Sequence, residues 1–327
     1  MGDVAMVAHA MRALRVTYPD LKVSILTKEL FRPLFDGLDM EILPIKFDFE
    51  GRHKGLAGLR RLADEIESYG VDCVADLHNV LRTAILRSIL RLKGIPSKHL
   101  HKNRFHRWMR MDGGCNVATL EMPHTVVRYC NVLRDLGFKV EDPSPAVKSP
   151  RPNPMPYPKG EQRWIGVAPF SAHEGKCYPL PLVTRVVDEL SKRYDRVFIH
   201  SGPGAELEYA LELECRYDNV EAVFGRMKLE GEIGLIANLD CLISMDSFTM
   251  HVASLVVTPT LSIWGATHPS IGFSGYGMGN KGFVQLELSC RPCSTFGNKV
   301  CRFGDYHCLW DITPESVVER VAELIEG

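Results

Sequence analysis

Three carboxylates, a lysine and a run of hydroxyls stand at helix starts and loops that would expose them. Met1-Gly2-Asp3-Val4 leads straight into a helical pattern. Gly2 permits a sharp turn, and Asp3 at the helix start can take a proton from an incoming hydroxyl or act as an N-cap. Ser244-Met245-Asp246-Ser247-Phe248-Thr249-Met250-His251 follows a strand pattern and opens a helix. Amides and the positive dipole end make such a junction an anion site, with Ser247 and Thr249 adding donors. The competing reading is an ordinary junction capped by Asp246 or Ser247.

Pro169-Phe170-Ser171-Ala172-His173-Glu174-Gly175-Lys176-Cys177-Tyr178-Pro179 is a polar loop. Its Lys176 is a point charge able to neutralise a phosphate, or simply a solvated lysine. Ser201-Gly202-Pro203-Gly204-Ala205-Glu206 is a strand-to-helix turn with neither P-loop nor G-x-G-x-x-G spacing. Glu206 there can accept from a ribose or favour the helix dipole.

From Lys98 to Arg110 the chain carries Lys98, Lys102, Arg104, Arg107, Arg110, three histidines, Phe105 and Trp108, with no acid. The segment suits an anionic partner such as a membrane phosphate or acidic sugar, or is a solvated basic face. No RNA-binding motif accompanies it. Cys290, Cys293, Cys301 and Cys308 form C-x2-C-x7-C-x6-C. Four thiolates can hold a structural zinc, although this spacing departs from paired C-x-x-C, and plain thiols or a labile disulfide are the alternatives.

The elements that position these groups alternate. Residues 4–16, 55–70, 81–94 and 124–137 read as helices, and 21–26, 41–45 and 71–77 as strands. Seven prolines between Pro143 and Pro158 then predict an extended connector. Beyond it, 164–170, 196–202, 240–245 and 260–265 read as strands, and 180–194, 206–217 and 312–327 as helices, the last with Thr313 as cap. Alternation predicts parallel sheets covered by helices. The expected organisation is an N-terminal domain over 1–150 and a C-terminal domain over 151–327, with the last helix returning to the first domain as an option.

Bulk properties agree with a globular chain: 327 residues, 45% hydrophobic and 24% charged, with a net charge of −1 that gives no support to nucleic-acid binding. No apolar run is long enough to span a membrane, and no secretory signal is legible. Six of the ten cysteines, Cys73, Cys115, Cys130, Cys177, Cys215 and Cys241, stand singly in apolar stretches. This is the pattern of reduced thiols in a cytoplasmic protein.

In order along nearly the whole chain, these segments resemble glycosyltransferase family 9, the ADP-heptose:lipopolysaccharide heptosyltransferases. The family's helix opening matches Met1-Gly2-Asp3, and its D-L-x-x-x-x-R-S/T stretch matches Asp76-Leu77-His78-Asn79-Val80-Leu81-Arg82-Thr83. The lysine loop matches Lys176-Cys177-Tyr178-Pro179, and the G-G-x-x-E turn matches residues 201–206. D-S/T-G-x-x-H-x-A is similar to Asp246–Ala253, and G-x-T-x-P to Gly265-Ala266-Thr267-His268-Pro269.

The resemblance implies a GT-B fold, two Rossmann-like doubly wound parallel-sheet domains facing a cleft. It further implies metal-independent, inverting transfer of heptose from ADP-heptose to the Kdo or heptose of a lipopolysaccharide inner core. Asp3 would be the base, and Lys176 with the 247–251 amides would stabilise departing ADP. The donor site would comprise Ser171, Glu206, Asp246, Ser247, Phe248, Thr249, Met250 and His251. The acceptor side would comprise Gly2, His78, Asn79, Arg82, Lys98, Lys102 and Arg104. ADP-heptose would be a co-substrate with no other cofactor, and the partner an anionic glycolipid at the inner-membrane surface. No nucleic acid or stable protein partner is implied.

Three departures mark the chain. Phe248 replaces a glycine, Cys177-Tyr178 replaces a basic residue and tryptophan, and the strand that the family places before Gly-Asp is not present. That last point gives the expectation that Met1 is an internal methionine within a strand–helix turn. The alternatives are a catalytically weak or inactive nucleotide-binding homologue, or a transferase or epimerase of another nucleotide-sugar.

Overall fold

In the computed structural model, residues 1–38, 40–42, 48, 50–102, 122–279 and 282–326 are described. They form two units: residues 6–102 with 125–144, and residues 145–326 with 1–5 and 122–124. The grouping of the first five residues with the second unit has a local cause. A Cβ on Gly2 would lie 2.8 Å from Cδ2 of His251, so this glycine lets the helix start close on that ring. Residues 122–124 are held likewise: Met122 N donates to Ser270 O at 3.1 Å, and the His124 ring lies 2.7 Å from Ser274 O.

The first unit contains α1 (Gly2–Thr17) from its second turn, β1 (Ser24–Ile25), β2 (Glu41–Ile42), α2 (Gly55–Ser68), β3 (Val74–Asp76), α3 (Leu81–Leu92), β4 (Ser97–His99) and α4 (Thr125–Asp135). Among the described residues its strands form two separate parallel pairs, β1–β2 and β3–β4. Leu62, Ala63 and Ile66 on α2 and Leu86 and Leu90 on α3 recur at helical spacing and pack together as its core.

The second unit runs β5 (Trp164–Ala168), α5 (Leu180–Arg193), β6 (Arg196–Ile199), α6 (Ala205–Arg216), β7 (Val220–Ala222), α7 (Leu229–Asn238), β8 (Cys241–Met245), α8 (Phe248–Val256), β9 (Thr260–Ile263), β10 (Phe283–Val284), α9 (His307–Trp310) and α10 (Pro314–Glu326). Its six strands are all parallel in the order β10-β9-β8-β5-β6-β7. β5 and β8 are buried at every position, as strands covered on both faces must be. Thr313 caps α10 as expected, its Oγ1 accepting from Ser316 N at 3.3 Å. Val317, Val318 and Val321 commit that helix's apolar face to this unit's own core.

Sheet order in the second unit marks a place for a ligand. Chain order runs outward from β5 in both directions, so the carboxyl ends of β5 and β8 meet at a topological switch point, with Ala168 opposite Ser244. Open parallel sheets bind ligands in the crevice at such a point, just beyond the carboxyl ends of the strands.

Candidate active site

The loops leaving β5, β8 and β9 meet at the switch point. Lys176 Nζ lies 2.8 Å from Asp246 Oδ2 and donates to the Asp246 carbonyl at 3.3 Å. Thr267 Oγ1 donates to the same Oδ2 at 3.1 Å, and Ser171 Oγ donates to Asp246 O at 3.1 Å. Asp246 is buried and the Lys176 side chain only 15% exposed, so the ammonium is aimed rather than left to sample solvent. Immediately beyond, Ser247 occupies the N-cap position of α8 without capping it, its hydroxyl instead lying 3.2 Å from Ser244 Oγ. A held ammonium beside a helix start that its own side chain does not cap is suited to a phosphate.

The remaining expected donor residues divide by orientation. His251 is buried against Gly2, which brings the first turn of α1, with Asp3, beside the α8 start. Asp3 lies inside that first turn and is exposed. Met250 is fully buried in the core, so only its backbone is on offer. Phe248 and Thr249 are partly exposed in the first turn of α8. Glu206 Oε2 accepts from Gly202 N at 2.7 Å, closing its own turn. Tyr178, which stands where the family has tryptophan, is a core residue: its hydroxyl donates to Ile312 O at 2.6 Å.

On the first unit, the Asp76 stretch forms a tight turn. Asp76 Oδ1 accepts from His78 N at 3.0 Å and Asn79 N at 2.8 Å, while Oδ2 pairs with Arg87 at 2.8 Å. Asn79 sits at φ 46°, its amide donating to Leu100 O and its Oδ1 accepting from Arg87. Both ends of the Asn79 side chain are therefore structural. Arg82 and Lys98 are exposed, and Lys102 partly so. Arg104, with the rest of the expected basic segment from 103 to 110, lies outside the described residues, as does Cys115.

Cys290, Cys293, Cys301 and Cys308 are free thiols, and among the described residues no three His, Cys, Asp or Glu side chains are grouped to hold a metal ion. Burial pushes the Cys308 thiol up to about 11 and raises Cys293. Sequence reasoning passed over three residues. Thr267 lay in a quoted motif without a role, Arg87 was overshadowed by Arg82, and Arg291 was hidden among the cysteines.

Residues 59–307 match the family described as glycosyltransferase family 9 (heptosyltransferase). The chain belongs to this family. It is a glycosyltransferase, as its motifs implied. Lipopolysaccharide heptosyltransferase 3 of Escherichia coli is 23% identical over 278 residues, covering 81% of each chain. A family 9 glycosyltransferase from Veillonella parvula shares the fold at a TM-score of 0.72 and 19% identity, over 100% of this chain and 94% of that one. The E. coli ADP-heptose LPS heptosyltransferase II does so at 0.68 and 18%, over 99% and 96%. The GT-B expectation therefore holds for this glycosyltransferase, with parallel sheets in both units.

Proposed function

We propose that this glycosyltransferase moves heptose from ADP-heptose to the Kdo or heptose of a lipopolysaccharide inner core, with inversion and without a divalent metal. The observation that carries the reading is the Lys176 ammonium, held by Asp246 beside the α8 start at the switch point. Lys176 and the amides of 247–251 meet the diphosphate and stabilise the charge that grows as ADP departs. Glu206 faces the ribose. Asp246 acts through Lys176, and Ser171 fixes the Asp246 backbone.

Asp3 takes the proton of the acceptor hydroxyl as its oxygen forms the bond to the anomeric carbon and the bond to ADP breaks. His251 sets the position of that turn by packing on Gly2. In this reading residues 1–150 form the acceptor side and 151–327 the donor side. Arg82, Lys98, Lys102 and Arg104 supply positive charge for an anionic glycolipid, and His78 lines the same side. No described helix is long and apolar enough to cross a membrane, and the reading places the enzyme at the cytoplasmic face of the inner membrane, where its acceptor lies.

Calorimetry with EDTA present tests the donor. ADP and ADP-heptose are expected to bind in the micromolar range, with UDP and GDP silent. Lys176→Ala should weaken ADP at least about tenfold, the scale of one charge-assisted contact. Unchanged ADP affinity in that variant removes Lys176 from the phosphate site, and binding of UDP alone overturns the donor assignment.

A further inference from the structure

Arg291 is 5% exposed, and among the described residues its hydrogen-bond acceptors are all neutral carbonyls. Nε donates to Gly265 O, and Nη2 to Trp264 O and Thr267 O at 3.0 Å each. Nη1 donates to Leu286 O, and Nη2 also reaches Gln285 Oε1 at 3.2 Å. The one carbonyl between these, Ala266 O, accepts from Cys293 N and Ser294 N at 3.1 Å. All four carbonyls of the segment 264–267 are thus gripped by residues 291–294. A planar guanidinium with five fixed donors suits such a fan of oxygens, and an ammonium does not.

The gripped segment bears on the ammonium from two sides. Ala266 N donates to Gly175 O at 2.8 Å, next to Lys176, and Thr267 holds Asp246. A Cβ on Gly175 would lie 2.9 Å from both Ala266 Cβ and Gly297 O, so no side chain fits between these backbones. Gly297, at φ 73°, has the Lys176 stem against its own Cα, where a Cβ would lie 2.5 Å from Lys176 Cγ. The 291–297 loop therefore contacts the lysine stem directly and, through 264–267, its carboxylate partner.

We infer that Arg291 is a positioning residue for the phosphate site: it fixes the 264–267 segment and through it the aim of Lys176 and Asp246. The inference rests on the reading of Lys176 as the diphosphate ligand, but the bracing itself is testable without a ligand. Arg291→Lys keeps the charge and loses the fan. Hydrogen exchange on the ligand-free variant should quicken about tenfold or more over 173–178 and 264–268, with β6 and β7 unchanged. Uniform quickening, or none, overturns the bracing whatever ADP does.

ADP titration then asks whether the bracing acts through Lys176. Arg291→Lys should weaken ADP about tenfold alone and less than twofold in a Lys176→Ala background. Equal losses in both backgrounds mean a general structural role and overturn the inference. Should Arg291→Lys not fold, Thr267→Val cuts the same link at its far end and should show the same non-additivity. Local exchange changes in Arg291→Lys, with Lys176→Ala leaving ADP affinity intact, would uphold the bracing and refute the diphosphate assignment instead.

Discussion

Asp246→Asn isolates the charge of the site with little change of shape. In the native arrangement the Lys176 ammonium has the Asp246 carboxylate at 2.8 Å and the Asp246 carbonyl at 3.3 Å. The side chains are 15% and 5% exposed, so water contributes little to either charge. The amide keeps an acceptor for Thr267 but leaves the ammonium with neutral partners. Removing one member of a buried pair costs about 3–5 kcal/mol, and the residual exposure of Lys176 puts this site near 3 kcal/mol. Lys176→Met removes the other charge, and the double variant contains neither, so the two losses must not add. A coupling of about 2 kcal/mol is expected from the cycle. Urea unfolding at pH 7, followed by circular dichroism in 0.05 and 0.5 M salt, measures it, with little salt dependence because the pair is shielded. Additive losses, or an Asp246→Asn deficit below about 1 kcal/mol, would show that the ammonium is not held as described.

Two further predictions concern different groups. Asp3→Asn should lower turnover with purified acceptor by about a hundredfold or more while leaving ADP affinity within twofold, since a base acts only in the transition state; an unaltered rate returns Asp3 to a helix-start residue. His200 is buried just beyond β6, and burial lowers it from 6.5 to about 4. Between those values the unfolded chain binds the proton and the folded one does not, so stability is lost as pH falls through this window, by about 3 kcal/mol in all. His200→Phe should flatten that part of the urea-unfolding profile, and a profile of unchanged slope would assign the acid sensitivity elsewhere.

The sequence carried the second unit further than the first, and strand length explains the difference. WIGVAPF is apolar throughout, CLISM within DCLISM carries Ser244 as its one polar residue, and the strands they form are buried at every position. Ser97–His99 is a polar tripeptide that becomes a strand only by pairing with Val74–Asp76, a tertiary effect with no local signature. Leu229–Asn238 escaped for the opposite reason: five of its ten residues are buried and its apolar positions form no clean stripe. At the site, motif reading located the backbone but not the direction of side chains. Asp246 reads from its motif as a donor ligand, yet its carboxylate faces Lys176 and Thr267. Met250 reads as part of an anion loop, but its place on α8 turns it into the core. Arg82 and Arg87 lie five positions apart on α3, about 140° around the helix, and the second pairs with Asp76. Arg291 shows the limit most clearly. Four of its five acceptors are backbone oxygens, on residues 264, 265, 267 and 286, and main-chain carbonyls carry no residue identity for a motif to record. A residue that works by gripping main chain is therefore invisible to pattern reading even when the segment it grips has been recognised.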